Sequence, residues 1–72
     1  MRTRENLAHY LERMNVNNKI LTLPGGCLGV IFDPAKVGKV IKTAEALGFI
    51  VINPHEYRHT YGDDPGADLI LF

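Results

Sequence analysis

Residues 28–52 read LGVIFDPAKVGKVIKTAEALGFIVI: an apolar run, a cap, an amphipathic stretch, a glycine and a second apolar run. Side chains alternate across an extended chain, so Leu28, Val30 and Phe32 share one face of a strand. Asp33-Pro34 is a helix start. An aspartate side chain can accept from the first unpaired amides, and proline fits the first turn because its missing N–H had no partner there. Val37, Val40, Ile41, Ala44 and Leu47 then recur at helical spacing, which predicts a helix over 34–47 with one core face. Gly48 supplies the left-handed residue that stops it. Phe49–Ile52 is apolar on both faces, as in a central strand covered on both sides. Strand, helix and strand in this order predict a right-handed crossover with the two strands parallel.

Outward from this unit, Leu7, Tyr10, Leu11 and Met14 follow i, i+3, i+4, i+7 spacing and predict a helix over 4–14. Thr3 is its N-cap, with Asn6 three residues on. Asn15, Asn17 and Asn18 tolerate left-handed geometry and end it. Lys19–Leu23 and Cys27–Phe32 read as strands joined by the turn Pro24-Gly25-Gly26. Gly29 sits mid-strand, where it weakens the strand or lets another group approach closely. Asn53-Pro54 repeats the cap-plus-proline signal, Glu56 follows three residues later, and Gly62 stops a short helix over 54–61. Asp63-Asp64-Pro65-Gly66 is a turn before a last strand, 67–72. The expected fold is α+β: a two-layer α/β sandwich in the order α-β-β-α-β-(short α)-β. Its sheet is mixed and four-stranded, contains the right-handed β-α-β unit, and carries the two longer helices. Residues 1–72 form a single domain.

Composition narrows the function classes. Eight Lys/Arg balance eight Asp/Glu, so no global field draws the chain to nucleic acid or an anionic membrane. The signs are segregated along the sequence: residues 1–42 hold seven of the eight basic side chains, and residues 43–72 hold Arg58 alone against five acids. Cys27 is the only cysteine, which excludes an intrachain disulfide and points to a reducing, cytoplasmic setting. No run of about 18 apolar residues is present, and Met1-Arg2-Thr3-Arg4-Glu5 leads into a polar segment rather than a signal core.

Several groups of residues could carry chemistry. His55-Glu56-Tyr57-Arg58-His59 has the form H-E-x-x-H. On a helix, residues i and i+4 lie on one face, so His55 and His59 can share a zinc while Glu56 polarises a water. With Gly62, the eight residues 55–62 resemble the metzincin class of zinc proteases. The resemblance implies a third ligand three residues past the glycine, where this chain has Pro65; Asp64 stands one residue short. Pro54 also places His55 in the first turn, and Arg58 sets a positive charge between the histidines. The metal alternative is therefore zinc on His55, His59 and Asp63 or Asp64, with Asp64 preferred. The other reading of the segment is a short polar helix selected for its caps.

Cys27 has no base at a spacing that would activate it and reads as a small buried apolar residue. Residues 24–29 are glycine-rich, but they join two strands rather than a strand and a helix, so they read as a hairpin turn and not a phosphate cradle. Lys36, Lys39 and Lys42 line one side of the middle helix, with Arg2, Arg4 and Arg13 adding charge from the first. They could meet phosphates, but aromatics do not interleave with them, and an amphipathic helix needs a solvated face in any case. Nucleic acid is the weaker alternative.

His55, Tyr57, Arg58, Tyr61, Asp63 and Asp64 bring aromatic, cationic and acidic groups together, the mixture that anchors protein interfaces. With no complete catalytic set, the sequence favours a non-catalytic interaction module over an enzyme. Such a module would be an inhibitor, adaptor or regulator, of the kind carried as accessory factors by phages or mobile elements. It would act on a partner protein without a cofactor, with an exposed edge strand free to pair with a second copy.

Overall fold

In the computed structural model, residues 3–72 are described. They form α1 (Arg4–Arg13), β1 (Asn18–Thr22), β2 (Leu28–Phe32), α2 (Val37–Ala46), β3 (Val51–Ile52), α3 (Pro54–Tyr61) and β4 (Leu69–Leu71). Short 3₁₀ turns at Pro24–Gly26 and Pro34–Lys36 complete the order. The α+β class and the element order are as the sequence predicts. No helix among the described residues is long and apolar enough to cross a membrane.

The helix ends follow their local chemistry. Thr3 Oγ1 accepts from the Asn6 amide at 3.1 Å, Asp33 Oδ1 from Ala35 at 3.0 Å and Asn53 Oδ1 from Glu56 at 2.8 Å. Asp33 caps the 3₁₀ turn, and α2 proper starts three residues later than the proline signal suggested. The exits of α1 and α2 share one device. Asn15, at φ 58°, lets its own amide reach Glu12 and the Val16 amide reach Leu11, each at 3.0 Å. Gly48, at φ 95°, does the same for Glu45 and for Phe49 to Ala44. This double closure satisfies the last carbonyls and turns the next residue back under the helix. Val16 and Phe49 are thereby delivered into the core.

The sheet corrects two expectations. Its order is β1-β2-β4-β3 and every neighbouring pair is antiparallel, so it is not mixed. Strands β2 and β3 do run parallel, but β4 lies between them and pairs antiparallel to both. Strand β3 is consequently an edge and not a central strand, and Ile50 beside it is 63% exposed. The apolar character of 49–52 has another origin. Phe49 and Val51 face the core with α2, while Ile52 packs on the other side, the side to which alternation also turns Ile50.

The main core lies between one sheet face and α1 with α2. Leu7, Leu11, Val40 and Ala44 pack there on Ile20, Val30, Phe32, Leu69 and Leu71. The opposite face holds a second, smaller cluster of Cys27, Tyr57 and Ile70, flanked by Leu23, Ile52, Ala67 and Phe72. Helix α3 and the segment after it cover that face, adding a partial third layer to the two expected. Gly29 makes this possible: a Cβ there would stand 2.9 Å from Ala67 Cβ and 3.2 Å from Leu23 Cδ1. The glycine in mid-strand is therefore a close-approach site. Cys27 is fully buried, as its reading as an apolar residue requires.

Candidate functional site

Helix α3 presents the segment on which the sequence concentrates its chemistry. Asn53 and Gly62 fix its ends, the latter with its amide 2.7 Å from the Arg58 carbonyl. One residue of α3 points inward. Tyr57 is only 3% exposed and packs with Cys27 and Ile70. Burial pushes its phenol above the ordinary value of 10.0, with the Cys27, Tyr61 and Asp63 charges acting in the same direction. Tyr57 is thus a core residue, and its place in the predicted partner surface is withdrawn. That surface requires exposure, which His55, Arg58, Tyr61, Asp63 and Asp64 all have. The Tyr61 ring lies on that of Tyr57, centroids 4.6 Å apart at 35°, so an exposed aromatic rests on a buried one.

Beside α3 runs an open groove of about 580 Å³. Ile52, Phe72 and Tyr61 give it an apolar lining, and His55, Glu56, His59 and Thr60 provide the polar wall. The three polar members of the H-E-x-x-H pattern therefore do face one space. They are not joined by a third ligand, because among the described residues no three His, Cys, Asp or Glu side chains are arranged to hold a metal ion. Asp64, the predicted third ligand, turns its Oδ1 to the Gly66 amide at 2.9 Å. The zinc set His55, His59 and Asp64 is not assembled.

The basic residues are also apart in role. Lys39 and Lys42 are exposed on α2 and Lys36 is half-buried. Arg4 is engaged, with Nη2 donating to the Ile20 carbonyl at 2.8 Å and Nη1 to Thr22 Oγ1 at 2.9 Å. It ties α1 to β1 rather than joining a phosphate-binding row. Arg13 is exposed, and Arg2 lies outside the described residues.

Sequence reasoning missed the groove's apolar side. Ile52 and Phe72 become neighbours only because β4 inserts beside β3, with the Ile50 and Phe72 amides and carbonyls exchanging two bonds of 2.9 Å. No local pattern announces a pairing across that distance. The sequence signal available was the run of apolar residues at 50–52 reappearing at 69–72. No family model, curated protein or solved structure matches the chain.

Proposed function

We propose that this chain is a small non-catalytic interaction module that binds a partner protein through α3 and the groove beside it. One observation supports the reading above the others: the groove has an apolar lining from Ile52, Phe72 and Tyr61 and a polar wall from His55, Glu56 and His59. An apolar centre with a polar rim is the anatomy of a protein contact site. Arg58 on α3 and Asp63 and Asp64 just after it are exposed and carry both charge signs, which would select a partner and set its orientation. A regulator or inhibitor working in the cytoplasm is the biological form that this reading takes.

The test is capture with three immobilised baits: the unmodified chain, Tyr61→Ala and His59→Glu. Both substitutions fall at exposed positions, so both baits should stay folded by circular dichroism. The expected result is one protein retained by the unmodified chain and lost from both variants. Retention of the same proteins by all three baits would remove the groove from consideration.

A further inference from the structure

We propose that two copies of the chain pair through β3, forming a two-fold dimer centred on Val51 with a continuous eight-stranded sheet. The inference concerns the sheet edge and stands apart from the partner reading above. An antiparallel ladder alternates between residues that exchange bonds with the neighbour and residues whose N–H and C=O point away. Ile50 and Phe72 exchange both bonds, so the Val51 amide and carbonyl point out of the sheet. A second β3 laid antiparallel across a two-fold axis would receive both groups, Val51 N–H to Val51 C=O in each direction.

The same register places Ile50 of each copy opposite Ile52 of the other. Both side chains lie on the α3 face of the sheet, so the Ile50 side chain, 63% exposed in the single chain, gains an apolar neighbour. Charge permits the match. The segment Phe49-Ile50-Val51-Ile52-Asn53 that carries β3 has no ionisable side chain, so self-pairing sets no like charges against each other, and within it there is no lysine or proline of the kind that commonly guards an exposed edge. The other edge of the sheet is guarded. Leu23 N–H bonds the Cys27 carbonyl, which by alternation turns Ile20 outward, and the Ile20 carbonyl is already taken by Arg4. The centre of β1 is thus occupied by a side chain, whereas β3 carries no such guard, and β3 is the edge favoured to pair. The axis also sets both α3 helices on the same side, which would make the interaction module bivalent.

Light scattering coupled to size exclusion would be run on the purified chain from about 10 μM to about 1 mM, the range that brackets a weak dimer. The expected mass climbs from 8.0 kDa toward twice that value. Ile50→Glu, a change at an exposed position, should weaken the dimer at least about tenfold. Val51→Pro removes the outward N–H without removing an intrachain bond and should hold the mass at 8.0 kDa. Isotope-filtered NMR on a mixed-label sample should show Ile50 of one copy in contact with Ile52 of the other. A mass of 8.0 kDa at every concentration would overturn the proposal. So would a dimer that lacks the Ile50 to Ile52 contact or that Ile50→Glu leaves intact. Because no partner protein is present, either result leaves the capture experiment independent.

Discussion

Single atoms decide several features of this domain. At Gly29 the limiting quantity is the space for one methyl group, since Ala67 Cβ would be 2.9 Å away. Gly29→Ala should cost about 1–3 kcal/mol, the usual range for forcing a group into a packed site. Ala67→Gly in the same chain should restore part of the loss, and urea unfolding of the two single variants and the double one measures the coupling. Tyr57 gives a pH signature. Its phenol holds its proton more tightly in the folded chain than in the unfolded one. The stabilisation is therefore complete below pH 10.0 and shrinks as the pH rises from there toward the raised folded value. Urea midpoints from about pH 9 to about pH 11 should fall in the unmodified chain, and more shallowly in Tyr57→Phe. An equal fall in both chains would show that other groups carry the alkaline loss. Tyr57→Ala should instead lose the cooperative transition, which distinguishes this buried tyrosine from the exposed Tyr61.

The elements were legible in proportion to how local their signals are. The caps at Thr3, Asp33 and Asn53 each depend on an amide no more than three residues away, and each is present. The eight-residue span of α3, with its proline start and the glycine stop just after it, follows from one short local stretch. Asn53→Ala should accordingly cost about 1 kcal/mol, measured by urea unfolding, and should loosen the wall of the groove with it. Sheet order depends instead on residues far apart. On the β2 side, Asp68 ties β4 in place: its amide donates to the Val30 carbonyl at 2.9 Å and its Oδ2 accepts from the Phe32 amide at 3.0 Å. The sequence places Asp68 inside the last strand, 67–72, and no local pattern there points to a partner 36 residues away. Asp68→Ala leaves the Phe32 amide without its acceptor and should cost about 1–3 kcal/mol. Asp68→Asn keeps an acceptor oxygen and should cost less, and the same unfolding series separates the two. The candidate site divides similarly. Its polar wall is one helix and was visible as a pattern, whereas its apolar lining comes from two strands brought together by β4. The inward turn of Tyr57 was hidden because α3 has too few apolar residues to show a periodic face.

For the whole molecule, the sheet edges govern how many copies associate. A 72-residue chain buries a modest share of its surface and has a thin margin of stability, so pairing at an edge is an economical way to extend its core. The same property is a hazard, because a sheet with two open edges can add copies without limit. Arg4 separates the two outcomes. Its guanidinium binds the Ile20 carbonyl and the Thr22 hydroxyl, occupying the central outward carbonyl of β1 and so favouring growth at β3, where a two-fold contact closes on itself after one addition. Arg4→Met keeps a helix-forming, apolar stem and removes both bonds. It should lower stability modestly through the lost tie between α1 and β1. More specifically, it should uncover β1 and produce species larger than the dimer, seen as light scattering that rises with concentration. The double variant Arg4→Met with Val51→Pro isolates the effect. With β3 blocked, association through β1 can proceed only to a pair, so the large species should vanish while some dimer persists. If Arg4→Met shifts the melting temperature and leaves the mass distribution unchanged, Arg4 is only an intrachain tie and does not guard the edge.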